Sequence, residues 1–142
     1  MSADRPAKFF LDTNIVTYAL ITSDSRQATA ESLLADATIS VQVLNELVSI
    51  AMRKYRLGWE QINYELRVLK TLCASILPLT QQVHELAVEL AERYGFYIYD
   101  ANIIAAALVA GCDTLYSEDM QDGQRIGPLT IRNPFTSAEQ PA

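Results

Sequence analysis

Short apolar runs alternate with amphipathic stretches along most of the chain. Phe9-Phe10-Leu11 is an aromatic-rich run that ends abruptly on Asp12, the pattern of a short buried strand with a carboxylate at its end. Asn14 to Leu20 predicts a short first helix. Asp24 and Gln27 have capping-box spacing, ahead of a second helix from Arg26 to Asp36. Thr38 to Val41, β-branched and bounded by polar residues, predicts a second strand. From Gln42 to Arg56, Leu44, Val48, Ala51 and Tyr55 recur at helical spacing. Glu46 falls outside that stripe, at its border with Val43 and Ile50, so it is placed to face a cleft.

Gly58 interrupts the pattern and Trp59 opens a further helix, whose stripe is Ile62, Leu66, Leu69 and Cys73 and which gives way before Pro78. A short strand around Ser75 to Leu77 leads to Thr80, a natural helix cap. Val83, Leu86, Ala87, Leu90, Ala91 and Tyr94 form the clearest amphipathic stripe, with Gly95 placed to end it. Asp100 introduces Ala101 to Ala110, apolar almost all round, as expected of a central buried helix ended by Gly111. Thr114 to Tyr116 and Leu129 to Ile131 predict two more strands, separated by the acidic loop 117–123. Helices alternating with short strands imply an α/β fold with a mainly parallel sheet covered on both faces.

At 142 residues the chain fits one domain, expected over residues 1–133, with the small polar stretch 134–142 fraying as a tail. Its longest apolar run, Ile103 to Cys112, is far short of the roughly 20 residues that span a bilayer, so no membrane role is indicated. The start, with Asp4, Arg5 and Pro6, lacks the apolar core of a secretion signal. Cys73 and Cys112, both in apolar surroundings, read as buried thiols of a reducing, cytoplasmic compartment. With one histidine and no paired cysteines, a structural zinc site lacks ligands. The net charge of −6 argues against a surface that attracts nucleic acid throughout. It leaves room for a cation-bridged enzyme site, and a basic partner would suit it.

Four acids share a grammar. Asp12 follows a strand, Asp119 follows another after a short step, Asp100 opens the buried helix, and Glu46 lies near the start of a helix that follows a strand. In a parallel sheet all four can converge at the carboxyl end, where α/β proteins bind ligands. Close carboxylates raise one another's pKa unless a cation compensates. Magnesium or manganese, one ion or two, meets an all-oxygen donor set, and phosphodiester hydrolysis is the chemistry this implies. Individually each acid has a plainer use: Asp12 and Asp100 as helix caps, Asp119 and Asp122 as turn formers beside Gly123, Glu46 as a solvated helix residue.

Four segments together resemble the PIN-domain family, and specifically the VapC-type toxins of bacterial toxin–antitoxin pairs. They are Phe10-Leu11-Asp12-Thr13-Asn14, Ser40-Val41-Gln42-Val43-Leu44-Asn45-Glu46-Leu47, Tyr99-Asp100-Ala101-Asn102-Ile103-Ile104-Ala105-Ala106 and Leu115-Tyr116-Ser117-Glu118-Asp119. The resemblance runs from about Lys8 to Ile131. It implies a three-layer α/β/α sandwich and a metal-dependent endoribonuclease whose quartet is Asp12, Glu46, Asp100 and Asp119. Asn14 and Ser117 match the accompanying polar positions that orient carboxylates or water, and Asp122 is a candidate further ligand. The family also implies an RNA substrate, a cognate antitoxin and frequent homodimers. Arg53, on the same side of its helix as Glu46, is the best-placed phosphate contact among scattered surface cations. His84, amid Gln81, Gln82, Glu85 and Glu89, reads as a surface residue. Tyr94, Phe96, Tyr97 and Tyr99 read as packing around Gly95 rather than as base-stacking groups, and Trp59 reads equally as a core anchor or an interface residue.

Two further readings are weaker. An aspartyl-phosphate phosphatase also places Asp after a buried strand, but it normally carries a second Asp where this chain has Asn14. It also uses a late lysine, and the last lysine here is Lys70. A non-catalytic PIN-like module binding RNA or protein is the other, against which the intact quartet argues.

Overall fold

The computed structural model describes residues 8–135. The segment 1–7, and residues 136–142 of the expected tail, lie outside the described residues.

Three hydrophobic residues, Phe9–Leu11, form β1 at the centre of the sheet, and all three are buried. Successive strand residues point to opposite faces, so uninterrupted burial requires packing on both sides. The chain continues through α1 (Thr13–Leu20), α2 (Gln27–Ser32), β2 (Thr38–Ser40), α3 (Val41–Arg53), α4 (Trp59–Leu72) and β3 (Ser75–Leu77). It then forms α5 (Gln81–Tyr94), α6 (Ile98–Val109), β4 (Thr114–Tyr116), β5 (Arg125–Ile126) and β6 (Leu129–Arg132). The strand order is β3-β2-β1-β4-β6-β5, parallel except for the β5–β6 pair at one edge. This is the expected α/β fold with a mostly parallel central sheet, and six helices accompany it.

Helix α6 is the core element, with Ala101 and Ile103 to Ala107 all buried. Small alanines let it approach its neighbours closely, which is why it can be apolar on nearly every side. Helix α5 packs along it through Val83, Ala87 and Leu90. The Thr80 hydroxyl caps α5 by accepting the Val83 amide at 3.1 Å, and Gly95 ends it at φ 79°, a conformation glycine adopts without a Cβ penalty.

Several local expectations change. Helix α2 is shorter than predicted, and Asp24 forms no capping box. Its carboxylate accepts the Arg26 amide at 2.8 Å and pairs with the Arg26 guanidinium at 2.6 Å, a charge-assisted use that displaces the cap. On α3 the buried line is Val43, Leu47 and Ala51, turned from the predicted stripe, while Leu44 and Val48 are half-buried. Helix α6 starts at Ile98, so Asp100 lies in its first turn rather than capping it. The two-residue strand β5 is too short to leave a periodic signal. Phe135, assigned to the polar tail, is buried against the edge of Tyr18, with ring centroids 5.5 Å apart. Both cysteines are free thiols, Cys112 buried and Cys73 half-buried. Among the described residues no helix is long and apolar enough to cross a membrane.

Candidate metal centre

Strands β1 and β4 are parallel neighbours in register, Leu11 opposite Tyr116, so the residues that follow them emerge side by side. Those residues are Asp12 and Ser117. The sheet runs from β1 to β2 on one side and to β4 on the other, a topological switch point whose carboxyl end opens a crevice. Asp12 also serves as the N-cap of α1, its side chain accepting the Thr13 amide at 2.7 Å. Cap and site residue are thus compatible roles for one side chain.

Ser117 is fully buried. Its hydroxyl donates to Asp12 Oδ2 at 2.8 Å and accepts the amides of Asp119 at 3.2 Å and Met120 at 3.3 Å. One small side chain therefore orients Asp12 and folds the loop that carries Asp119. Asn14 makes a second link. Its amide nitrogen donates to Asp119 Oδ2 at 3.0 Å, with a longer approach of 3.4 Å to Asp12 Oδ2, and its oxygen accepts the Glu118 amide at 3.3 Å.

Glu46 sits in the second turn of α3 and reaches back toward α1. Its Oε1 accepts the Thr13 hydroxyl at 2.5 Å and its Oε2 accepts the Gln42 side-chain amide at 2.8 Å. Asp100 stands on the first turn of α6, where Asp is also favoured by the helix dipole.

Two of the carboxylates, Asp12 and Asp100, feel the charges of their neighbours. Asp12 is only 6% exposed, and burial pushes its carboxyl up to about 7; the charges of Asp100 and Glu46 add to the rise against the hydrogen bonds from Ser117 and Thr13. Asp100 is also raised, first by burial and then by Glu46 and Asp119. An unfavourable concentration of negative charge is thus held in place by neutral donors.

Among the described residues, no three Asp, Glu, His or Cys side chains form a ready-made metal cluster. Oxygens of Asp12, Glu46 and Asp119 rest on Thr13, Asn14, Gln42 and Ser117. The donor set is nonetheless all oxygen, and the charges of Asp100, Glu46 and Asp119 crowd one another, a repulsion that a cation would offset. Both features fit a hard divalent cation.

Other candidates stand apart. Asp122 Oδ1 accepts the Asn133 amide at 2.8 Å, the turn-forming use. Arg53 is exposed in a surface depression with Ser49, Ile50 and Lys54, two helical turns (roughly 10 Å) beyond Glu46. His84 is exposed, as expected. The aromatic group departs from expectation: Tyr94, Tyr97 and Tyr99 are exposed, and only Phe96 leans on the core. Trp59 is 57% exposed and anchors no core.

Sequence reasoning passed over Thr13 and Gln42, although Gln42 lies at helical i,i+4 spacing from Glu46 and was legible in principle. It also missed a clasp behind the acidic loop. Arg26 stacks over the Tyr18 ring at 3.9 Å and pairs with Glu118 at 3.0 Å, and the Tyr18 hydroxyl donates to the same carboxylate. Such an ion pair between residues far apart in sequence leaves no local signature.

The PIN domain family model matches residues 9–122 of the chain. No curated protein matches it. Among solved structures, the chain is similar to a toxin–antitoxin complex from Klebsiella pneumoniae, with TM-score 0.68 and 22% identity over 91% of this chain and 98% of that one. It is similar also to VapC20 of Mycobacterium tuberculosis, a Sarcin-Ricin loop cleaving toxin, with TM-score 0.65 and 22% identity over 79% and 92%. A third is VapBC2 from Rickettsia felis bound to a DNA fragment from its promoter, with TM-score 0.63 and 26% identity over 88% and 97%.

Proposed function

The chain belongs to the PIN domain family, and we propose that it is a metal-dependent endoribonuclease, a VapC-type toxin restrained by a cognate antitoxin. What supports this reading is the hydrogen-bonded link between Asp12 and Asp119 through Ser117 and Asn14 beyond β1 and β4, with Glu46 and Asp100 near enough for their charges to reach Asp12. PIN domains are in general nucleases. The toxin and antitoxin assignment draws on the likeness to toxin–antitoxin complexes, and a homodimer is proposed on family grounds.

Magnesium or manganese, one ion or two, would be held by the four acids and would supply Lewis-acid polarisation of the scissile phosphate and acidification of water. The protein's own part is positioning. Ser117 and Asn14 fix the lone pairs of Asp12 and hold Asp119 beside it, as residues behind metal ligands do. Thr13 and Gln42 do the same for Glu46. Burial of Asp12 keeps bulk water from screening the charge at the site. No protein nucleophile is needed, because water attacks the phosphorus and the ribose oxygen leaves. Asn14, which holds Asp119 and the Glu118 amide, stands where an aspartyl-phosphate phosphatase carries its second aspartate, so that reading lacks its acid–base group.

The test is cleavage of an RNA panel by purified protein with magnesium or manganese, beside Asp12→Ala and Asp100→Asn. Cleavage that needs the metal and disappears in both variants is expected. Cleavage that survives both would remove the acids from the site, and RNA binding without cleavage would favour a non-catalytic module.

A further inference from the structure

We propose that Tyr97 and Tyr99 form a stacking platform that holds a nucleobase of the RNA substrate beside Asp100. This rests on the ribonuclease reading and adds to it the residues that would hold a base. The two rings pack edge to face, centroids 5.4 Å apart and planes at 61°. They are 66% and 51% exposed, among the most exposed large side chains described. In this arrangement one ring meets the other by its edge, so its faces are not covered by that partner.

Their place in the fold matters more than their exposure. Tyr97 is the N-cap of α6 and Asp100 follows three residues later, the spacing that sets side chains on one helix face. Tyr99 is the residue before Asp100. The platform therefore borders a carboxylate that senses both Glu46 and Asp119. Tyr97 also makes no side-chain capping hydrogen bond, where Ser, Thr, Asp or Asn would stabilise the helix. A bulky, wetted ring in that position is unfavourable for the free protein and useful to a ligand with a π face.

Charge favours a nucleobase over the phosphate chain as the source of affinity. The protein carries a net charge of −6, and Arg53 stands two turns away from the acids along α3. Attraction to phosphates is correspondingly weak. Stacking on aromatic faces is insensitive to that charge and tolerates any base. Paired bases inside a duplex present no free face, so a loop, bulge or single strand is the form that fits.

The experiment measures binding separately from cleavage. In an Asp12→Asn background with magnesium, fluorescence anisotropy of a labelled single-stranded RNA is compared for Tyr97→Ala, Tyr99→Ala, Tyr97→Phe and Tyr99→Phe. Each alanine should weaken binding about tenfold and each phenylalanine should leave it within about twofold. A 2-aminopurine scanned through the strand should lose fluorescence on binding at one or two positions, and that quench should vanish in the alanine variants. Unchanged affinity in Tyr97→Ala/Tyr99→Ala, with a normal melting curve, would overturn the platform and leave the surface to a protein partner. Equal affinity for duplex and single-stranded RNA would overturn it as well. Tyrosine-dependent binding with no cleavage by the Asp12-bearing protein would sink the nuclease reading and leave the platform standing.

Discussion

Replacing Asp12 with Asn should abolish a specific part of the pH dependence of stability. The folded carboxyl titrates near 7 against 3.8 for an ordinary aspartate, so between those values the native state holds a proton that the unfolded chain has lost. Stability from this group is fully present below about pH 4 and disappears as pH rises through 7. Integrating the two titrations gives a loss on the order of 3 kcal/mol between pH 5 and pH 8. For a domain of this size that is roughly 8–10 °C in melting temperature. The assay is calorimetry in chelator across that range, wild type beside Asp12→Asn. The variant keeps an oxygen for the Thr13 amide but turns an amide toward Ser117 and Asn14, both donors to this carboxylate. It should start about 1–3 kcal/mol lower at pH 5 for that reason, yet fall less with pH than the wild type, by on the order of 3 kcal/mol. Parallel pH profiles would refute the reasoning. Magnesium should restore the wild type at pH 8, by about 2.7 kcal/mol at a hundred times its dissociation constant, and leave the variant unmoved.

Three more outcomes follow. Asp100→Asn and Asp119→Asn should slow RNA cleavage on the order of 100-fold or more, and Asp100→Asn should melt no lower than wild type at neutral pH because its carboxyl is already raised; initial rates and melting curves check both. Ser117→Ala strands the Asp119 and Met120 amides and frees Asp12, and should cost about 1–3 kcal/mol in urea unfolding together with a 10- to 100-fold loss of rate. Arg26→Ala leaves Glu118, only 16% exposed, without its cation; about 2 kcal/mol is expected, with faster hydrogen exchange confined first to the loop 117–120.

Most of the scaffold was legible because each central element carried one strong local signal. Phe9-Phe10-Leu11 could only be a buried strand before a carboxylate, and the Thr80–Gly95 pair marked both ends of α5. The rest depended on tertiary decisions. The start of α6 moved to Ile98 because a helix nucleated on core packing needs no polar cap. The buried line of α3 was set by what α1, α4 and α6 present to it, which its own periodicity does not contain. In the site, Asn14 and Ser117 came from family likeness; their hydrogen bonds to the acids depend on β1 and β4 being neighbours. The aromatic residues around Gly95 illustrate the opposite failure: hydrophobicity argued for burial, and the chain left Tyr94, Tyr97 and Tyr99 in water.

The hydrogen bonds of Ser117 to Asp12 and of Asn14 to Asp119 each join residues 105 apart in sequence. A site stitched between the two ends of the chain cannot exist on a growing polypeptide. Until β4 has emerged and slid in beside β1, Asp12 has neither its orienting hydroxyl nor its companion acid, and non-local parallel pairing of this kind forms late. A ribosome-bound chain therefore lacks the assembled site for most of its synthesis, and under the function proposed above a restraining partner would have that interval in which to meet it.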